Sequence, residues 1–184
     1  SAAVHDGATV QGLADSFLGE LQALIAHCVD GGRGVTPSDF PLAGVSQQRL
    51  DALALPLDSL EDLYPLTPTQ AGLMFHSLSD TQETVYVNQL QMDMDRVDPA
   101  RLREAWQSAS DRHEILRTGF LDGQGLLQWV ARRADLPWTE HDCSGQSDAA
   151  QAAAALASSE RERSFDLAQP PLMRLALVRL SCLL

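Results

Sequence analysis

RHEILRTGFLDGQGLLQWVA, residues 112–131, decides how the chain is read. Two apolar runs, 115–121 and 126–131, flank a turn containing Asp122, Gly123 and Gly125. Short apolar runs separated by aspartate and glycine predict two strands joined as a hairpin. The same stretch opens on the densest polar cluster of the sequence, Arg112, His113, Glu114 and Arg117, with Ile115 and Leu116 set inside it. On residues alone the cluster reads either as a buried ion-pair network that fixes a helix end or as one wall of a site.

Working upstream, Asp98 and Pro99 give an N-cap followed by proline, and Leu102, Ala105, Trp106 and Ala109 form one apolar stripe, with Arg101, Arg103 and Glu104 on the polar face. Residues 85–94 alternate, with Tyr86, Asn88, Leu90, Met92 and Met94 on one side and Gln89, Gln91 and Asp93 on the other, which predicts a half-buried strand. Thr67, Pro68 and Gln70 combine a capping box with proline at the first helical position and predict a helix over 68–78. Before it, Ser46 caps a short helix carrying Leu50 and Leu53, which Pro56 ends, and Gly34, Pro37, Asp39, Pro41 and Gly44 punctuate a stretch that reads as a linker. Over 9–28 apolar residues recur at the three-and-four spacing of an amphipathic helix, with Thr9 as N-cap and Gly31 and Gly32 as the stop.

Downstream of the hairpin, a strand over 136–141, an alanine-rich helix over 148–163 and an apolar strand over 172–180 complete the pattern. Strands interleaved with helices predict an α/β layered sheet with helices packed on it.

Composition removes several function classes. Apolar residues make up 45% and charged residues 21% of the 184, a globular balance. The net charge of −12 opposes nucleic acid and anionic membrane surfaces, since binders of phosphate cluster lysine and arginine. All 13 basic residues are arginine, so no lysine nucleophile or Schiff base exists in the chain. Cys28, Cys143 and Cys182 are odd in number and far apart, which points to buried thiols in a reducing, cytoplasmic setting. No apolar run is long enough to span a membrane.

The usual chemical motifs are absent. His5, His27, His76, His113 and His141 lack the paired spacing of a zinc site; His141 and Cys143 supply too few ligands, and no metal is expected. Gly123 and Gly125 lie between two strands, where a dinucleotide fingerprint requires a strand and a helix. Gly31–Gly34 has neither the lysine nor the hydroxyl of a phosphate loop, and no serine stands in a nucleophile elbow.

Four stretches carry a resemblance. RHEILRTGF, 112–120, matches the RHExLRTxF motif of nonribosomal peptide synthetase condensation domains, and YPLTPTQAGLMFHSL, 64–78, resembles their opening motif. YVNQ, 86–89, and FDLAQPPLMRL, 165–175, look like stretches between those motifs and the catalytic one. TPSDFPL, 36–42, with the helix before it, resembles the tail of an epimerization domain and its exit linker. The resemblance implies a chloramphenicol-acetyltransferase-like N-terminal lobe over 60–184, preceded by the last helix of an upstream domain over 1–30 and a linker over 31–59.

The same resemblance implies peptide-bond formation between a carrier-bound peptidyl donor, of D configuration at its last residue, and an aminoacyl acceptor. Partners are then peptidyl carrier domains and neighbouring synthetase domains; phosphopantetheine is carried by those partners and no cofactor is bound directly. The family's His-His-x-x-x-Asp-Gly motif does not occur in these 184 residues, so the chain alone is expected to be inactive. Arg112, His113, Glu114, Arg117, Thr67, Gln70 and His76 would be supporting residues, with Arg117 the partner for the motif's aspartate. Lacking that partner, Arg117 is expected to reach solvent or to find a substitute carboxylate such as Glu114. Two other readings stay open: a non-catalytic domain-docking module, and a lobe of a coenzyme A-dependent acyltransferase of the same superfamily.

Overall fold

The computed structural model describes residues 6–30, 34–79, 86–122 and 125–180. The chain divides into two compact units, one ending at Val35 and one beginning at Thr36.

Among the described residues the first unit holds one helix, α1, Gly7–Val29. It starts two residues before the expected position, because Asp6 and not Thr9 is the N-cap: the Thr9 N–H donates to Asp6 Oδ1 at 2.7 Å. A carboxylate caps better there than a hydroxyl, since it also complements the positive end of the helix dipole. Val10, Leu13, Phe17, Leu21 and Leu24 on its apolar stripe are exposed. Cys28 is exposed with them, against expectation, whereas Cys143 is buried.

In the second unit α2, Gln47–Ala52, is capped by Ser46 as expected. The stretch before it is not bare linker. Phe40, Ala43 and Val45 are buried, and Leu50 of α2 is wholly buried, so residues 36–59 contribute to the core of this unit. Strand β1, Leu60–Pro65, follows, then α3, Pro68–Ser79, and α4, Pro99–Arg112. Strands β2, Thr118–Leu121, and β3, Leu127–Ala131, form the expected antiparallel hairpin, with Thr118 opposite Val130 and Leu121 opposite Leu127. β1 lies on the other edge of β3, giving the sheet order β1-β3-β2. As the central strand, β3 buries Leu127, Trp129, Val130 and Ala131. Leu60 and Leu63 of β1 are also wholly buried.

The remaining elements form a βαβ unit: β4, Trp138–Asp142, then α5, Ala149–Glu162, then β5, Leu175–Arg179, with β4 and β5 paired in parallel. A parallel pair needs such a crossover, because a tight turn cannot bring the second strand back in the same direction. Arg174 locks its corner. The guanidinium donates to Glu160 Oε2 at 2.8 Å, to the backbone carbonyls of Glu160 and Arg163, and stacks 4.2 Å above the Phe165 ring. It thereby satisfies carbonyls that the end of α5 leaves without intrahelical donors.

Three further expectations need correction. The described part of 85–94, from Tyr86 on, is not a strand; Leu90 and Met92 are exposed, because alternation gives a strand only where a neighbouring ladder accepts it. Residues 114–117 form a 3-10 turn, so β2 begins only at Thr118. The strands fall into two sheets among the described residues, of three and two strands, and not into one. Residues 123 and 124 of the predicted turn lie outside the described residues.

Candidate functional site

The junction of α4 with the three-stranded sheet gathers most of the motif residues. α4 ends at Arg112, and the backbone then makes a 3-10 turn over Glu114–Arg117 before entering β2. That turn swings Arg117 inward. Its side chain is 5% exposed, and every nitrogen of the guanidinium has a partner. Nε donates to Ser110 O at 3.0 Å, Nη2 to Asp111 O at 3.3 Å, and Nη1 to both Glu61 Oε2, at 2.5 Å, and the Ala131 carbonyl. Arg117 thus ties the last turn of α4 to β1 and β3. A buried cation requires such a set, since desolvation without a counter-charge is costly.

Of the two outcomes expected of Arg117, it does not reach solvent; it finds a substitute carboxylate, which is Glu61 and not the Glu114 given as the example. Glu114 is exposed, and its backbone carbonyl accepts the Thr118 hydroxyl at 2.8 Å. Arg112 and His113 are exposed too, and with Ala105, Ser108 and Ala109 they border an open depression of about 200 Å³. The four residues of the polar cluster do not converge: one is a buried tie and three face outward.

The opening motif is anchored to the same sheet. The Thr67 N–H donates to Gln70 Oε1 at 2.9 Å and the Gln70 N–H to Thr67 Oγ1 at 3.3 Å, the reciprocal capping box that starts α3. Gln70 then reaches β3, donating from Nε2 to Gln128 Oε1 at 3.0 Å. Tyr64 donates its hydroxyl to Asp62 Oδ2 at 2.5 Å. That hydrogen bond, then burial, then the negative charges of Asp62, Glu114 and Glu61 push the phenol up to about 12. His76 is exposed on α3 and meets Phe75 edge to face at 5.9 Å.

The 165–175 stretch docks against β2. The Phe120 N–H donates to Leu167 O at 2.7 Å, and the Trp129 indole N–H to Ala168 O at 3.0 Å. Gly119 makes the approach possible, because a Cβ there would lie 2.7 Å from Trp129 Nε1 and 2.9 Å from Ala168 O. Chain-distant motifs meet as one packed body.

Sequence reasoning missed Glu61, Asp62 and Gln128. Asp62 had a usable signal, since it stands two residues before Tyr64 on one strand; Glu61 and Gln128 had none, because their partners lie 56 and 58 residues away. No group of three or more histidine, cysteine, aspartate or glutamate side chains is placed to hold a metal among the described residues. No helix among them is long and apolar enough to cross a membrane.

Known proteins resemble this arrangement. The Condensation domain family matches residues 60–182. One linear gramicidin synthase protein of Brevibacillus parabrevis is 40% identical over 97% of the chain, and a second protein of the same synthase is 38% identical over 96%. The chain spans 2% and 4% of the lengths of those two proteins. Among solved structures, the starter condensation domain of rhizomide synthetase RzmA superposes with a TM-score of 0.55 at 20% identity, over 66% of this chain and 31% of that one. The α/β lobe therefore has the chloramphenicol-acetyltransferase-like fold of such domains.

Proposed function

This chain belongs to the condensation domain family, and from that premise we propose that it supplies the N-terminal lobe of a domain joining two carrier-bound substrates. The acceptor's amine attacks the carbonyl carbon of the donor thioester; the new C–N bond forms, the C–S bond breaks, and the amine's proton leaves to the phosphopantetheine thiolate. Phosphopantetheine belongs to the partner carrier domains and enters as the handle of each substrate. The observation that carries this reading is the junction itself: RHEILRTGF is held by a buried arginine on one side and by the FDLAQPP stretch on the other.

The lobe's share of the work is positional. Arg117 braces the sheet from inside, Thr67 and Gln70 start α3 and tie it to β3 nearer the surface, and Arg112, His113, Glu114 and His76 stand exposed toward neighbouring domains and carriers. The histidine pair that the resemblance assigns to catalysis is not in these residues, so the chain by itself forms no amide. The donor's last residue has D configuration; the likeness of α1 and TPSDFPL to an epimerization tail and linker supports this.

A hybrid domain tests the reading. Residues 60–182 replace the matching stretch of a condensation domain in the first of those two gramicidin synthase proteins, and loaded donor and acceptor carriers are supplied. Amide product from the hybrid, with none from the 184-residue chain alone, supports the proposal. A folded hybrid without product overturns it. Equal use of D and L donors by a second hybrid carrying residues 1–182 overturns the assignment of donor configuration.

A further inference from the structure

We propose that Glu61 is a positioning residue: a bulge in β1 turns its carboxylate onto Arg117 and closes that arginine into a clamp that fixes the 112–120 stretch from within the lobe. The register of β1 on β3 steps from Leu60 opposite Ala131 to Asp62 opposite Val130, so Glu61 is the extra residue, without a partner across the ladder. A bulge turns one residue aside and leaves ladder groups unpaired. Here the Ala131 carbonyl at the step accepts from Arg117 Nη1, and the same nitrogen donates to Glu61 Oε2 at 2.5 Å. The guanidinium fills the gap that the bulge opens.

The other end of that guanidinium holds the Ser110 and Asp111 carbonyls in the last turn of α4, where a cation complements the helix dipole. Glu61 is the counter-ion that makes this burial tolerable: the arginine side chain is 5% exposed and the glutamate 36%. The next residue, Asp62, holds Tyr64 of the opening motif. Two successive carboxylates of one strand thus anchor the two motif stretches. The clamp holds the Arg117 guanidinium inside the lobe, so a change at Glu61 acts on any chemistry through the placement of 112–120. That last consequence rests on the condensation function proposed above.

The whole 184-residue chain carries the first tests. Glu61→Gln keeps an oxygen for the hydrogen bond but removes the charge, and Arg117→Lys keeps the charge but not the fork. Each should lower Tm by roughly 5–10 °C, and the double variant should melt within a few degrees of the worse single one, because both remove the same interaction. Additive losses overturn the clamp. Should Arg117→Lys fail to fold, hydrogen exchange at the Arg117 Nε–H decides: slow in the unsubstituted chain, and about tenfold or more faster in Glu61→Gln as local opening becomes easier. Unchanged exchange overturns the proposal.

In the hybrid domain, below its melting range, Glu61→Gln should lower kcat by about tenfold to a hundredfold with KM for the carriers unchanged, as expected when reacting groups are misplaced. An unchanged kcat overturns the positioning role. A hybrid inactive without any substitution sinks the condensation reading instead, and the melts and exchange still decide the clamp.

Discussion

Adding one methyl group at Gly119 should unseat the 165–171 stretch from the sheet. A Cβ at that position would stand 2.7 Å from Trp129 Nε1 and 2.9 Å from both Ala168 O and Pro170 Cδ. Two of those atoms are the donor and acceptor of the 3.0 Å bond between the indole and the Ala168 carbonyl. Relief therefore requires the loop to move outward and that bond to break. Overpacking costs roughly 1–3 kcal/mol, and a lost hydrogen bond to a buried group about 1 kcal/mol more. Gly119→Ala should then destabilise by roughly 2–4 kcal/mol, a fall in Tm of about 5–15 °C for a chain of this size.

Urea and thermal melts followed by tryptophan fluorescence measure it. The penalty should shrink, without vanishing, in a Trp129→Phe background, where the indole clash is gone but the Ala168 and Pro170 contacts stay. A loss below about 0.5 kcal/mol, the size of an ordinary surface substitution, would refute the packing of the loop against β2.

Arg174→Gln should cost roughly 1–3 kcal/mol, because it removes a nearly buried guanidinium together with its bonds to the Glu160 carboxylate and to the Glu160 and Arg163 carbonyls, leaving Glu160 only the more exposed Arg163 as counter-ion; a urea midpoint equal to that of the unsubstituted chain would contradict this. Tyr64 should ionise near pH 12, read as tyrosinate absorbance in a Tyr86→Phe background that leaves it the sole tyrosine. Because the folded-state value lies above the unfolded one, its stabilising contribution is complete below pH 10 and is lost as pH rises from there through about 12. Asp62→Asn should bring the transition down toward 10, and a Tyr64 midpoint already at 10 in the unsubstituted chain would exclude the Asp62 hydrogen bond.

Local signals carried the reading where local physics decides. The capping box at Thr67 and Gln70, the Asp98 cap before Pro99, the Ser46 cap and the β2–β3 hairpin all depend on residues a few positions apart, and each is visible in the sequence. β1 escaped because its bulge breaks the period of two: Leu60 and Leu63 both face the core although they are three residues apart, a spacing that mimics a helix. Residues 86–94 erred the other way, since their alternation is clean but no ladder receives them. The site divided along the same line. The sequence marks Arg117 as part of a polar cluster, yet only the fold brings Glu61 to it, from 56 residues away. The segment before β1 lacks periodicity because its buried residues, Phe40, Ala43, Val45 and Leu50, are scattered through turns and one short helix.

The central claim, that this chain is the N-terminal lobe of an amide-forming condensation domain, rests most directly on one rate. Single-turnover amide formation is measured in the hybrid that carries residues 60–182 within the gramicidin synthase condensation domain, with both carriers loaded and saturating. The predicted rate lies within about a hundredfold of the unsubstituted domain's, the loss that slight misplacement of reacting groups produces. A hybrid that melts cooperatively yet forms amide no faster than the carriers alone would contradict the account.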